Sequence, residues 1–445
     1  MPFHSGSIAY ARFAVRGGPT AVTNEVLDEL AANVLTPPAI GAPPETQAGW
    51  VAGRHVFDTS FDPEAVVFGE TLLFGMRIDT NRVPAELRRA YFAMAQQAMA
   101  AASPTGIVSG REKKAARDEA DERCREELST DRFRRSKLIP IVWQVDQGLL
   151  FAPLFGDAPV EMARALLRDT FDAQLVPLSS GRLAESILDA SGRSRDYEDL
   201  APTAFTPPPA SAESMEQREA NVPPVPWAAA VDDAKDFLGN EFLFWLWSRC
   251  ETGAATFETS RGSVAIALDR MLDMQCAWDV TGTQSLRADA PTRLPEARAA
   301  LRLGKWPRKV GITIATRGEQ WDCGLQADRF VISGAKLARP EEPPATPREG
   351  IEQRLAALET IDRGLVGLYE LFVEERTASA WNSTREGVRR WIAGTRPPAT
   401  AASVPVIEIP PSVSVPVPAP GSASSPATIS AAERAGAEAG AGAPA

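Results

Sequence analysis

The spacing of apolar residues changes along the chain, and this predicts both strands and helices. Ser7–Val15 alternates in the way of a half-buried strand, whereas Thr23–Asn33 has apolar positions three and four residues apart, as in a helix. Val66–Asp79 is rich in β-forming residues and contains two glycines, so it predicts one or two strands. The next helix is predicted to begin at Pro84 and to end near Ala102.

The central stretch, Gly110–Pro153, joins a highly charged segment to two short apolar runs. The segment GREKKAARDEADERCREELSTDRFRRSK predicts a charged helix that ends in a basic cluster. This cluster contains Arg132, Phe133, Arg134, Arg135 and Lys137. The runs LIPIVWQVD and GLLFAP predict strands joined by a hairpin turn at Gln147-Gly148. A basic helix end beside a sheet would suit an anionic ligand.

The second half predicts a buried helix followed by an antiparallel sheet. Asp232–Cys250 is apolar on most sides, which is typical of a helix inside a core. The predicted strands are Ser263–Asp269, Lys309–Ala315, Trp321–Leu325 and Arg329–Ser333. The other predicted helices are Pro159–Ala173, Arg182–Leu188, Leu294–Leu303, Gly350–Ala378 and Ser383–Ile392. Because no regular β-α-β alternation is present, the predicted fold class is α+β, with mixed antiparallel sheets and packed helices.

Composition divides the chain into four parts. Residues 1–200 are predicted to form an N-terminal α+β region with the charged helix and hairpin, and residues 231–394 a C-terminal α+β region with a basic segment. Residues 201–230 are predicted to form a linker or loop, because seven prolines lie between Ala201 and Trp227. Residues 395–445 contain almost no aromatic side chains, so this tail is predicted to be disordered.

Composition also limits the class of protein. The 445 residues are 44% hydrophobic and carry a net charge of −11, which is typical of a protein with a core and excludes a simple polycation. The four cysteines form no CxxC pair and there are two histidines, so we expect reduced thiols and no metal or other cofactor. No apolar run reaches the roughly 18–20 residues that span a bilayer, and the first residues lack the basic and apolar regions of a signal peptide, so none is expected. We therefore expect a cytoplasmic protein.

Motifs for enzymatic chemistry are missing from the sequence. There is no GxxxxGK[ST], GxSxG or GxGxxG, and the nearest phosphate-loop string, GIVSGREKK, has Arg111 where the lysine should stand. A metal-dependent nuclease needs several carboxylates around one or two cations. Asp146, Glu70 and Asp79 could supply them, although carboxylates at strand ends are more often solvated. A nuclease stays open as an alternative.

Basic residues concentrate in two places. Arg111–Lys137 has ten Lys/Arg and eight Asp/Glu, and its first part is typical of a solvated helix face, whereas its basic end could contact phosphate. Arg287–Lys309 has seven basic and two acidic residues. Its candidates for DNA binding are Arg298, Arg302, Lys305, Arg308 and Lys309. The first three are predicted to share one side of a helix and the turn after it. The alternative for this segment is a face of ion pairs between domains, with Trp306 packed in the core.

The order of these segments resembles the recombination-associated RdgC family of bacterial DNA-binding proteins. The resemblance rests on Tyr10-Ala11-Arg12, Gly49-Trp50-Val51, REKKAARDEADERCREEL leading to DRFRR, and VWQVDQGLLFAP followed by ALLRDTF. A looser match is ARAALRLGKWPRKVGITI in the second half. The resemblance covers about Ser5–Gly394, and its strongest part is Gly110–Val176. This chain departs from the family in its greater length, its proline-rich insert and its tail.

The resemblance implies a function as well as a fold. Members form ring-shaped homodimers around duplex DNA, bind it with little sequence preference and restrain RecA-driven strand exchange in the nucleoid. By position, Phe133 matches an aromatic residue at a subunit contact, Arg135 matches a nearby basic residue, and Lys113 and Lys114 match a Lys-Lys pair. The leading hypothesis is thus a non-enzymatic, DNA-binding homodimer. A metal-dependent exonuclease and an interaction scaffold without a nucleic-acid role are the alternatives.

Overall fold

The computed structural model describes most of the chain before residue 395. The described residues are Phe3 and residues 6–35, 45–103, 106–130, 132–206, 234–253, 255–278, 281–336 and 344–394. The predicted tail and most of the predicted linker lie outside them. Residues Met1–Ala399 form one compact unit.

Strands and helices alternate irregularly along the described chain. The strands are β1 (Ile8–Arg16), β2 (Thr46–Val51), β3 (Val67–Phe68), β4 (Thr71–Asn81), β5 (Arg134–Gln144), β6 (Leu149–Ala152), β7 (Gln174–Pro177), β8 (Thr256–Thr259), β9 (Gly262–Cys276), β10 (Gln284–Ala288), β11 (Lys305–Thr316), β12 (Glu319–Gln326) and β13 (Val331–Lys336). The helices are α1 (Asn24–Ala32), α2 (Pro63–Val66), α3 (Ala85–Ala102), α4 (Gly110–Ser129), α5 (Asp157–Phe171), α6 (Ser180–Ala190), α7 (Ser194–Glu198), α8 (Phe237–Thr252), α9 (Pro295–Arg302), α10 (Pro347–Thr377) and α11 (Trp381–Ala393).

These strands form one large sheet in the order β10-β9-β11-β12-β13-β1-β6-β5-β4-β2, with β8 beside β9, β3 beside β4 and β7 beside β1. The strand pairs are antiparallel. β1 joins the two halves of the sheet, because Tyr10 lies opposite Ile332 of β13 and Phe13 opposite Leu150 of β6. The predicted mixture of helices with antiparallel strands is confirmed.

Two apolar clusters hold helices against the sheet. In the first, α8 and α10 pack on β9 and β11, and aromatic side chains such as Phe242, Trp245 and Phe372 lie in mutual contact. In the second, α1 and α5 pack on the N-terminal half of the sheet around Trp50 and Trp143. Truncating one such aromatic side chain to alanine would lower the free energy of unfolding by ~3–5 kcal/mol. The packing of these clusters therefore fixes the positions of the elements around them.

Several predicted boundaries are wrong, and strand pairing explains the differences. The charged helix ends at Ser129, and Arg134 already pairs with Asn81 at the end of the ladder between β4 and β5. β9 continues to Cys276, well beyond the predicted Asp269, because β11 pairs with it along that length. The buried helix begins at Phe237 rather than Asp232. The hairpin turn at Gln147-Gly148 is confirmed.

The first residues of the predicted linker, 201–206, pack against the C-terminal half. Phe205 is buried among Phe244, Trp306 and Trp381. The backbone N–H of Thr203 donates to the buried carboxylate of Glu241, at 2.5 Å. This segment is therefore part of the core up to the point where the described residues stop.

Candidate nucleic-acid interface

The helices α3 and α4 form a hairpin, here called the arm (residues 85–129), and they pack mainly on each other. The contact between them is narrow, because the buried side chains among the described residues of the two helices are Ala95, Ala116, Ala120 and Cys124. At the base of the arm, the Asn81 side-chain N–H donates to the carbonyl of Leu128, at 2.8 Å. Most of the surface of both helices is thus available to a partner.

The first two turns of α4, nearest the tip of the arm, are basic. Its first eight residues contain four cations, Arg111, Lys113, Lys114 and Arg117, all of them exposed, and a single acid, Glu112. Ser109 and Glu112 form a capping box, and hydrogen bonds from the Ser109 side chain and backbone lower the pKa of Glu112. No ion pair joins Lys113 or Lys114 to a carboxylate of the described chain. Their charge therefore faces solvent.

Most of the basic cluster at the base of the arm lies on β5. Because side chains along a strand point alternately to opposite faces, its basic residues are divided between the two faces of the sheet. Arg135 and Lys137 are exposed on one face of β5. Arg134, on the other face, lies 3.8 Å from the carboxylate of Asp79, which is 2% exposed. The exposed Arg132 makes an ion pair with Glu127, at 3.4 Å. Phe133, the predicted subunit contact, is half-buried beside them.

Two half-buried arginines of the second basic segment are bound by carboxylates of the same chain. Arg298 makes an ion pair with Glu251, donates to the carbonyl of Trp391 at 3.1 Å, and stacks on the Trp391 ring at 4.8 Å. Arg308 makes an ion pair with Asp328, which is 8% exposed. Both ion pairs lie within the predicted C-terminal region, whereas the alternative expected ion pairs between domains.

The other cations of the second segment do not form the predicted stripe. α9 ends at Arg302, which is exposed, and Lys305 is the first residue of β11, where its ammonium donates to the side chain of Gln284 at 3.2 Å. Lys309 is half-buried opposite Gln326 and Asp273. Trp306 is fully buried and donates to the Thr206 hydroxyl, so it is a core residue that cannot stack on a base.

Strand register separates the two basic segments. Lys309 and Gln144 lie at the same end of the sheet's strands. This follows from the register of the antiparallel pairs that lead from β11 through β12, β13, β1 and β6 to β5. Arg134 lies at the other end of β5, opposite Asn81. One chain therefore brings Arg132, Arg134, Arg135 and Lys137 together at the base of the arm but does not join them to the residues around Lys309.

The carboxylates of the nuclease alternative do not converge. Asp146 is exposed in the turn between β5 and β6, and the exposed Glu70 lies near it, because its carbonyl accepts from the backbone of Val145 at 3.0 Å. Asp79 lies at the far end of β4, bound by Arg77 through contacts of 2.7 and 2.5 Å. Among the described residues, no group of three histidine, cysteine, aspartate or glutamate side chains is placed to hold a metal ion.

Sequence reasoning predicted a solvated face for the first part of α4, but it missed the arm as a unit and assigned no role to Ile107, Arg111 or Arg117. A local pattern could have located the tip, because Ser109-Gly110-Arg111-Glu112 has the S-x-x-E spacing of a capping box. That pattern starts α4 directly after the glycine-containing loop. The tip and its charge were thus readable from the sequence.

No protein-family model and no curated protein matches this chain. The resemblance to the RdgC family therefore stays a prediction that depends on the segments quoted above. None of the helices in the described part of the chain has the length and apolar character needed to cross a membrane.

Proposed function

We propose that this protein binds duplex DNA without sequence preference through the arm and its base, without catalysing a reaction. The observation that carries the proposal is the set of exposed cations at the two ends of the arm, Lys113 and Lys114 at the tip and Arg135 and Lys137 at the base. No carboxylate of the described chain forms an ion pair with any of these four. Backbone phosphate is a ligand that such side chains bind.

The length of the arm suits a polyanion. α4 rises ~1.5 Å per residue, so Lys114 lies ~22 Å along the helix from Ser129 at its end. Duplex DNA carries one negative charge per ~1.7 Å of its axis, so a contact of this length spans many phosphates. Lysine and arginine on phosphate oxygens fix position and do not distinguish base pairs, which is the basis for binding without sequence preference.

The proposal includes a homodimer, which follows from the resemblance. Half-buried Phe133 lies at the base of the arm, where a second copy could cover its ring. A dimer would also present two arms to one duplex and thereby increase affinity through multivalency. Occupying duplex DNA in this way would oppose RecA-dependent strand exchange in the nucleoid of the cytoplasm, which is the role that the resemblance implies.

Salt dependence tests the proposal. We expect the anisotropy of two fluorescent duplexes of unrelated sequence to give the same affinity, with log K falling by about 0.9 per phosphate contact for each unit of log salt. The double variant Lys113→Glu/Lys114→Glu should weaken binding to both duplexes alike and reduce this slope by about 2. The matched control, Arg195→Glu/Arg293→Glu, reverses two exposed cations away from the arm and should change neither value.

A slope near zero, or equal losses in the two double variants, would reject the arm as the binding surface. Absence of binding by the wild-type chain at low salt would leave the interaction scaffold as the better hypothesis. RecA involvement has a separate assay, in which the wild-type chain should slow strand exchange and the Lys113→Glu/Lys114→Glu variant should not.

A further inference from the structure

We infer that Ile107, at the tip of the arm, is an apolar wedge that inserts between stacked base pairs of the bound duplex. This inference rests on the proposed function and goes beyond it, because phosphate contacts alone require no apolar side chain. Ile107 is 73% exposed, more than any other large apolar side chain among the described residues. It lies in the loop between α3 and α4.

Hydrogen bonds on both sides of Ile107 fix its position. The Ser103 hydroxyl donates to the carbonyl of Ile107, at 3.3 Å. The N–H of Gly106 donates to the carbonyl of Ser103 at 3.1 Å, and the φ of Gly106 is +68°, in the left-handed region. On the other side, the Ser109 hydroxyl accepts from the N–H of Glu112, at 3.3 Å. Hydrogen bonds thus constrain described residues on both sides of the exposed Ile107.

The surroundings of Ile107 favour DNA as its binding partner. A single exposed apolar side chain is ordinary on a protein surface, so exposure alone carries no function. Here, however, Ile107 borders a shallow depression that is also lined by Gln96, Gln97 and the exposed Lys113, and the exposed Arg111 and Lys114 lie in the first turns of α4. Architectural DNA-binding proteins combine these elements, since cations hold the phosphates while isoleucine, leucine or methionine partly unstacks a base step.

An anionic membrane is the other surface that cations beside an apolar residue could bind. Even one myristoyl chain holds a protein to a bilayer only marginally, and the side chain of Ile107 is much smaller than that. Insertion into a base step needs only one side chain of this size. The observations therefore favour duplex DNA.

Base unstacking by the full-length protein is the measurable consequence. A duplex containing 2-aminopurine should gain fluorescence when the wild-type chain binds, because the probe is quenched by stacking. The wild-type chain should also bind a duplex with a central mismatch several-fold more tightly than a matched one, since a mismatched step costs less to unstack. The Ile107→Ala variant should lose both effects while it keeps the salt slope of the wild-type chain.

Met94→Ala is the matched control, because Met94 is an apolar side chain of the same arm that is 53% exposed on α3. This control should keep the fluorescence gain and the mismatch preference. An unchanged fluorescence gain in Ile107→Ala, or an equal loss in Met94→Ala, would overturn the wedge while the phosphate contacts of the proposed function stand. Binding to phosphatidylserine vesicles that depends on Ile107, without a 2-aminopurine signal, would assign the tip to a membrane and overturn the wedge as well.

Discussion

The two basic segments differ in how much of their positive charge is exposed, and this difference is the reverse of what their composition suggests. Arg287–Lys309 has seven cations and two acids, yet Arg298 and Arg308 of this segment are bound by Glu251 and Asp328. Arg111–Lys137 has ten cations and eight acids, yet Lys113 and Lys114 remain exposed without an ion pair in the described chain. A count of charges in a window therefore does not measure the positive charge that a ligand can reach.

The reason is the number of tertiary neighbours around each segment. The second segment has other elements packed around it, so carboxylates distant in sequence reach its arginines. Arg298 and its partner Glu251, for example, are 47 residues apart in the sequence. The arm packs mainly on itself, so many of its ion pairs lie three or four residues apart, as in Arg123–Glu119 and Arg125–Glu122. Such exposed pairs contribute only ~0.3–0.5 kcal/mol each.

The largest expected difference between the segments is in folding stability after charge reversal. Arg298→Glu would place a second carboxylate against that of Glu251, whose side chain is 16% exposed, and would lose the hydrogen bond to Trp391. We expect a loss of about 3 kcal/mol in the free energy of unfolding, measured by urea titration with tryptophan fluorescence. Lys137→Glu on the exposed face of β5 should change this value by less than about 0.5 kcal/mol. Equal losses would contradict the comparison.

A smaller loss is expected when a cation is removed without reversal. Arg308→Met leaves the buried carboxylate of Asp328 without its ion pair, which should cost about 2 kcal/mol of unfolding free energy. The same change at the exposed Arg302 is the control and should fall within about 0.5 kcal/mol of the wild type. If Arg302→Met proved as destabilising as Arg308→Met, burial of the partner would not be the cause.

The smallest expected effect is a dependence of stability on pH. Burial of Asp273 raises its pKa, but hydrogen bonds from Arg287 and Ser285 outweigh this, so the pKa lies below its ordinary value of 3.8. The folded state therefore gains stability from ionised Asp273 above pH 3.8 and loses it as pH falls through the folded pKa. Asp273→Asn should cost less than about 1 kcal/mol at neutral pH, because the pair is partly exposed.

The difference in unfolding free energy between Asp273→Asn and the wild type should shrink as the pH falls below 3.8, as measured by urea titration at several pH values. The control is Glu296→Gln, which removes an exposed acid of the same segment without breaking an ion pair of the described chain. A difference that grew on acidification would show that the hydrogen bonds from Arg287 do not stabilise the ionised form.

Elements with a strong local pattern were predicted well, and those that depend on a neighbouring strand were not. The apolar run around Phe242 forms α8, and the two runs on either side of Gly148 form the hairpin of β5 and β6. β10 was missed because Gln284–Ala288 has little apolar alternation, and it is a strand because its backbone pairs with β9. Arg134 was wrongly assigned to a helix because its place in β5 depends on pairing with Asn81, which is distant in sequence.

The candidate binding residues differ in exposure. Lys113, Lys114, Arg135 and Lys137 are exposed as a binding surface requires, whereas Arg298 and Arg308 are engaged by carboxylates that no window of sequence would have paired with them. Ile107 passed without notice, because a single isoleucine in a loop has no periodicity. Its place at the tip follows from the arm and not from its own sequence context.

The sequence by itself determined the features that arise within about four residues, such as the capping box of Ser109 and Glu112 and the apolar character of α8 on most of its sides. Only the tertiary structure decided which cations stay exposed and at which end of the sheet each basic segment lies. The physical reason is range: helix caps and periodic apolar faces act between near neighbours, whereas ion pairs and strand register join residues that the fold brings together from distant parts of the chain.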